Sequence, residues 1–234
     1  MSHRPNAATL AANGITDYIK QHQLNPGDPL PTEARLCEAL NLSRSSVREA
    51  VRTLASLDIV EVRHGHGTFV GTLSLSPLVQ GLVLRTTIDS ANSFAHLREV
   101  VEVRIGLDLS MAAELCRAFT PDDAEHLLAL VDDMHDKHAS GQSFAEQDRA
   151  YHQRLNSLIS NSLIRELCDA FWQIHMDVLP LMKVQMPGDI EKTIEAHAAI
   201  VHALQAGDEQ RYREKVLEHY APLQRAIAAE QAQY

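Results

Sequence analysis

Two short helix patterns joined by a tight turn constrain the first third of this 234-residue chain more than any other feature. Thr32 follows Pro31 and precedes Glu33, Leu36 and Leu40, which reads as an N-cap and a short amphipathic helix. Asn41-Leu42 allows only a tight connection, and Ser43 caps a second helix with Val47, Ala50, Val51 and Leu54 on one face. Two short helices about three residues apart form a helix-turn-helix pattern. Upstream, Leu10, Ile15, Tyr18 and Ile19 predict a helix from Ala7 to His22, ended by Asn25-Pro26-Gly27-Asp28-Pro29. Downstream, Ile59 to Arg63 and Thr68 to Val70 flank His64-Gly65-His66-Gly67. These β-branched runs around a glycine loop predict a β-hairpin, placed as a wing.

From Leu78 onward the pattern is helical, with turn signals at Thr120-Pro121, Ser140-Gly141, Pro187-Gly188-Asp189 and Ala206-Gly207-Asp208. The expected fold is mainly α: a winged helix-turn-helix with a small β-hairpin wing over 1–71, a linker over 72–78, and an all-helical bundle over 79–234. The 45% hydrophobic content suffices for real cores. Cys37, Cys116 and Cys168 are scattered and odd in number, which argues against a disulfide framework. The first residues contain no apolar signal-peptide segment, and no apolar run reaches membrane-spanning length. A cytoplasmic protein without a membrane partner is expected.

The net charge of −10 looks wrong for a nucleic-acid binder until it is divided. Residues 1–71 hold seven basic and seven acidic residues, whereas 72–234 hold fourteen and twenty-four. A neutral module can bind DNA if its cations share a face. Arg44 and Arg48 lie four apart near the start of the second helix, where a recognition helix meets base edges. Arginine has the fork for bidentate contact with guanine. Ser43, Ser45 and Ser46 suit phosphate contacts at a helix N-terminus, and Arg63, His64, Gly65 and His66 sit at the wing tip. A single arginine reads as a solvated helix face. Arg44, Arg48 and Arg52 together, with the serines, the preceding capped helix and the hairpin, point to DNA. His64 and His66 read as turn residues rather than as a metal pair.

Pro26 to Glu33, Leu42 to Ala50 and Gly65 to Val70 together resemble the N-terminal domain of the GntR superfamily, over residues 8–71. The resemblance implies that the wing enters the minor groove and that Arg44 and Arg48 read an operator. Many members carry arginine directly after the glutamate of the Pro-Ser/Thr-Glu motif. Here Ala34 stands there and Arg35 follows, so Arg35 is expected to take over that contact.

Asp148 and His152, four apart in a predicted helix from Phe144 to Leu158, project from one face. His197 and His219 lie on later helices. Carboxylate and imidazole ligands suit Zn²⁺, Ni²⁺ or Mn²⁺, but spacing alone does not bring three helices together. Residues 79–228 resemble the all-helical FCD domain of the FadR subfamily, through Glu102-Val103-Arg104, Asp148 and His152 with Ser160-Asn161, His197 with Ile200, and His219. The resemblance implies a divalent metal, zinc foremost, held by Asp148, His152, His197 and His219. It also points away from acyl-CoA, whose branch lacks this set. Arg104 would clamp the carboxylate of an organic acid, or else pair with Asp108 one turn on; the family pattern favours the clamp. His175 is a further pocket-liner, and Asn161 is either a pocket donor or a helix cap.

The implied function is a non-enzymatic, metabolite-responsive transcription regulator, a repressor in most lookalikes. It would act as a homodimer on a palindromic operator, its DNA affinity set by a small organic acid at the metal. Two alternatives remain: a purely structural metal with the effector elsewhere, and a metal-dependent hydrolase fused to a DNA-binding module.

Overall fold

Side-chain caps set where the first helices begin. In the computed structural model of the protein, which describes residues 6–89, 92–182 and 190–231, Asn6 opens α1 (Ala7–Gln21) by accepting the Thr9 N–H at 2.7 Å. Thr32 opens α2 (Glu33–Leu40) and Ser43 opens α3 (Arg44–Ser56), accepting the N–H groups of Arg35 at 3.4 Å and Ser46 at 3.2 Å. Asn41 turns the chain between them at φ 52°, a left-handed conformation that asparagine tolerates better than most residues. The strands β1 (Val60–Arg63) and β2 (Gly67–Val70) pair antiparallel, from Val60 opposite Val70 to Arg63 opposite Gly67. Gly65 and Gly67 close the tip at φ 77° and 110°, where a side chain would be strained. Ile15, Leu36, Val47, Val51, Leu54, Val60 and Val70 fill the core of this unit.

The chain divides into two compact units between Pro77 and Leu78. From Ser76 onward the described residues form helices alone: α4 (Ser76–Ile88), α5 (Ser93–Ser110), α6 (Ala112–Ala118), α7 (Pro121–Ala139), α8 (Ala145–Ser157), α9 (Ser162–Leu181), α10 (Glu191–Gln205) and α11 (Glu209–Gln231). The fold is therefore mainly α, with one two-stranded sheet among the described residues, as the sequence pattern predicts. Thr120 and Asp123 exchange side-chain and backbone hydrogen bonds in a capping box that opens α7. The Ser140-Gly141 and Ala206-Gly207-Asp208 signals fall at the ends of α7 and α10, with Gly141 and Gly207 at positive φ. The Pro187-Gly188-Asp189 signal lies outside the described residues.

In the second unit α5 packs on α9 and α11, α7 on α8 and α10, and α10 on α11. Leu97, Val101, Leu127, Met134, Ile174, Val178, Ile194 and Val201 are buried between them. The break between α5 and α6 at Met111 has no glycine or proline to announce it. Side chains from α11 meet the last carbonyls of α5 there: Tyr212 donates to Asp108 O at 3.1 Å and Arg213 to Leu109 O at 2.9 Å. No helix among the described residues is long and apolar enough to cross a membrane.

Gly71 follows β2, and a Cβ placed there would collide with the backbone carbonyl of Asp58. Backbone cannot swing aside as a side chain can, so Gly71→Ala should destabilise the N-terminal unit by about 1–3 kcal/mol. Trp172, the only tryptophan, lies in the second unit. The variant should lower a circular-dichroism transition while leaving the Trp172 fluorescence transition in place. Unchanged circular dichroism would refute the steric argument.

Candidate metal centre and nucleic-acid interface

Most of the buried polar side chains of the helical unit converge on one place. Asp148 and His152 face inward from α8, His197 from α10 and His219 from α11, none more than 9% exposed. The nearest ring nitrogens of the three histidines all lie within 4.8 Å of one another. Two ligand bonds of about 2.0–2.2 Å span up to about 4.4 Å, so the separation suits one bridging ion. Asp148 Oδ1 lies 3.2 Å from His197 Nε2 and 3.7 Å from His152 Nε2.

The hydrogen bonds around these groups leave ligand atoms free. His197 Nδ1 donates to Thr193 O at 2.8 Å, which in the neutral ring places the lone pair on Nε2. In that state the lone pair faces a carboxylate oxygen at 3.2 Å, a repulsive contact that either a proton on Nε2 or a metal cation relieves. His152 Nε2, His197 Nε2 and His219 Nδ1 are buried with no hydrogen-bond partner. Trp172 Nε1 donates to Asp148 Oδ2 at 2.6 Å, leaving Oδ1 turned toward the imidazoles. Tyr151, buried on α8, donates to His197 O at 3.0 Å and steadies the helix that carries this ligand.

The protonation states suit a metal. Burial holds His152 and His219 well below the ordinary histidine range, so both are neutral. Burial pushes the Asp148 carboxyl up, but His152, His197 and Arg104 outweigh it and hold the group well below its usual range. His152, His197 and His219 stand where their ring nitrogens could hold one divalent ion, with the Asp148 carboxylate beside His152 and His197.

A cavity of about 390 Å³ opens beside this cluster, and Arg104, Asp148, His175 and His219 form part of its wall. Arg104 is 3% exposed and does not pair with Asp108; it donates to His175 Nδ1 at 2.8 Å and lies over the Tyr220 ring at 5.2 Å. Burial and the Arg104 charge push His175 down to about 3, which keeps it a neutral acceptor. Asp108 instead accepts from the Tyr220 hydroxyl at 2.6 Å. Asn161 is exposed and accepts the Leu163 and Ile164 N–H groups, so it caps α9 and takes no part in the cavity wall. The sequence reading missed Trp172, Tyr151 and Tyr220. Trp172 and His175 stand three apart on one helical face, the one signal that could have flagged the tryptophan.

In the N-terminal unit Arg35, Ser43, Arg44, Ser45, Arg48, His64, Gly65 and His66 are exposed, and Ser46 is half-buried. Ser43 Oγ lies 2.9 Å from both the Ser45 and Ser46 hydroxyls, so the serines form a cluster at the mouth of α3. Arg48 Nε donates to Glu33 Oε2 at 2.8 Å, tying α3 to α2. Arg35 and Arg44 make no ion pair among the described residues.

The family models match these two regions separately. The model described as "Bacterial regulatory proteins, gntR family" covers residues 9–70, and the FCD domain model covers residues 99–222. The chain belongs to the GntR family and carries an FCD domain. Curated relatives of this GntR-family chain include LutR, an HTH-type transcriptional regulator of Bacillus subtilis, 25% identical over 86% of this chain and 92% of its own length. The galactonate operon transcriptional repressor of Escherichia coli is 24% identical over 78% of this chain and 80% of its own. The solved structure of a Streptococcus agalactiae GntR protein superposes with a TM-score of 0.65 at 26% identity, covering 93% of this chain and 99% of that one. The GntR-family chain is thus a DNA-binding transcription regulator, of a family of regulators rather than enzymes.

The buried neutral histidines make metal-free stability pH-dependent in one direction. Their folded pKa values lie below the unfolded value near 6.5, so below about pH 6.5 the unfolded chain binds more protons and gains. Urea midpoints followed by Trp172 fluorescence on chelator-treated protein should fall between pH 7.5 and 5.5. A flat or rising midpoint would contradict the burial of neutral imidazoles.

Proposed function

We propose that this chain is a cytoplasmic, metabolite-responsive regulator, of repressor type. Residues 1–71 bind operator DNA, residues 72–78 serve as linker, and residues 79–234 bind a small organic acid beside a divalent metal, zinc foremost and nickel or manganese next. The observation that carries this reading is the set of three buried ring nitrogens with no partner, within 4.8 Å of one another and two of them beside Asp148 Oδ1, next to a cavity that Asp148 and His219 help to line. Asp148, His152, His197 and His219 hold the metal. A bound ion would supply Lewis-acidic open positions for one carboxylate oxygen of the acid. Arg104, kept in place by His175 and Tyr220, orients the carboxylate by its remaining N–H groups.

On the DNA side, Arg44 and Arg48 address base edges in the major groove. Arg35, Ser43, Ser45 and Ser46 contact backbone phosphates, and the His64-Gly65-His66 tip reaches the minor groove or the backbone. A homodimer presents two such units to a palindromic operator. The acid must bind the DNA-competent and DNA-incompetent states unequally, or it shifts nothing.

Two measurements test the two halves. Arg44→Ala should lose about 1–3 kcal/mol, roughly 5- to 150-fold, on duplexes selected from a random pool by the parent protein, with relaxed preference at one base pair. A uniform loss across all duplexes would make Arg44 a phosphate contact instead. Trp172→Phe removes the hydrogen bond that orients Asp148, and should weaken zinc affinity about 10- to 100-fold in competition with a chromogenic chelator. An unchanged affinity would remove Asp148 from the ligand set.

A further inference from the structure

The cavity beside the proposed metal site has a polar end and an apolar body, and this division constrains what fills it. At the buried end stand Arg104, Asp148, His175 and His219. Along the rest of the wall Phe144, Met176, Leu179, Ile190 and Leu223 present apolar side chains from the start of α8, from α9, from the approach to α10 and from α11. Besides His219 Nδ1 at the polar end, Thr193 Oγ1 is the buried polar atom of the cavity lining without a hydrogen-bond partner among the described residues. Gln142 and Ser143 also line the cavity but are exposed, at its solvent side.

Arg104 is the key to the polar end. Its guanidinium is buried, and among the described residues it forms no ion pair and one hydrogen bond, to a neutral imidazole. The buried carboxylates Asp108 and Asp148 act on this charge, but neither is within ion-pair distance of it among the described residues, so its remaining N–H groups can take up one carboxylate. Beyond that carboxylate the wall offers Thr193, the half-buried His138 and, at the solvent side, Gln142 and Ser143, and the surface between them is apolar. Each hydroxyl of a polyhydroxylated acid would be buried against carbon, at a cost of about 1–3 kcal/mol apiece if unpaired. Size speaks only against the smallest acids: at about 30 Å³ per water-sized group, about 390 Å³ holds roughly a dozen non-hydrogen atoms, whereas a three-carbon hydroxy acid has six.

On this basis we infer that the effector is a carboxylic acid with an apolar body of about eight to ten carbons and at most one further polar group near the carboxylate. The carboxylate meets Arg104, a hydroxyl or carbonyl meets Thr193 Oγ1, and the body lies against Phe144, Met176, Leu179 and Leu223. The inference rests on the proposed function and narrows its effector class. It sets this chain apart from a galactonate-type sugar acid and from a lactate-type hydroxy acid.

Isothermal calorimetry on the full-length, zinc-loaded protein tests this with lactate, galactonate, butanoate, hexanoate, octanoate and 3-phenylpropanoate. Affinity should rise about fourfold for each methylene from butanoate to octanoate, with one site per chain. 3-Phenylpropanoate should bind at least tenfold more tightly than lactate or galactonate. Leu223→Asn should weaken octanoate about five- to tenfold while leaving galactonate no weaker, a pattern that loss of folding would not give. A flat series, tighter binding of galactonate or lactate, or an octanoate affinity unmoved by Leu223→Asn overturns the inference. Arg104→Met separates this from the underlying reading. If galactonate binds best and Arg104→Met abolishes its binding, the inference falls and the effector site stands. If no acid binds, or every acid binds Arg104→Met as it binds the parent protein, both fall.

Discussion

His197 Nε2 is buried 3.2 Å from Asp148 Oδ1, a contact that needs a positive charge or a proton between the two atoms. His197 Nδ1 donates to Thr193 O, so Nε2 is the ring atom turned to that carboxylate. Two further buried nitrogens, His152 Nε2 and His219 Nδ1, face the same space without partners. In the proposed reading a divalent cation would turn all of these into ligands at once. The surrounding bonds are arranged as supports for that outcome. Trp172 holds Asp148 Oδ2, Thr193 fixes the His197 tautomer, and Tyr151 anchors the backbone of α10.

This cluster also accounts for how α8, α10 and α11 are held in register. Apolar packing of Ile194, Val201, Val216 and Tyr151 brings the helices together without directional preference. Buried polar groups add direction, since a half-satisfied network is worse than none. One polar layer comprises Asp148, His152, His197 and His219. A second, formed by Arg104, His175, Asp108 and Tyr220, joins α5, α9 and α11 around the adjoining cavity. The two layers meet at the cavity wall, so in the proposed reading an acid that neutralises Arg104 would act on both. That is the physical route by which a small ligand can bias the packing of helices whose own contacts it never touches.

Local signals made the N-terminal unit legible almost completely. Thr32 and Ser43 are caps whose chemistry does not depend on distant residues, and Gly65 and Gly67 mark a hairpin tip by the backbone conformation they permit. The helical unit was legible as helices, because Thr120, Gly141 and Gly207 punctuate it locally. Its break at Met111 was not, since the groups engaging those carbonyls, Tyr212 and Arg213, lie about a hundred residues away. The same limit applied to the cluster. Asp148 and His152 share a helical face by spacing, but no spacing rule brings His197 and His219 to them. Only the family resemblance nominated all four. For Arg104 the spacing suggested Asp108 at one turn, yet the structure gives Asp108 to Tyr220 and Arg104 to His175. The choice between those partners is made by α9 and α11, which sequence periodicity does not position.

The N-terminal unit has no net charge to spend on attracting DNA, so the placement of its few cations decides the matter. Three arginines are already engaged, Arg48 by Glu33 at 2.8 Å, Arg63 by Glu61 at 2.8 Å and Arg52 by Glu49 at 3.7 Å, while Arg35 and Arg44 make no ion pair among the described residues. An exposed ion pair contributes little stability, but it restricts the rotamers of a long side chain. Glu33 holds only Nε of Arg48 and leaves the terminal nitrogens of the fork open. A guanidinium held this way loses less conformational freedom when it meets a base edge than a free one does. In the proposed reading Glu33 is therefore an aiming device rather than a competitor. The neutral balance of the unit then works as a specificity feature, because general attraction to phosphate stays weak while oriented contacts keep their full discrimination.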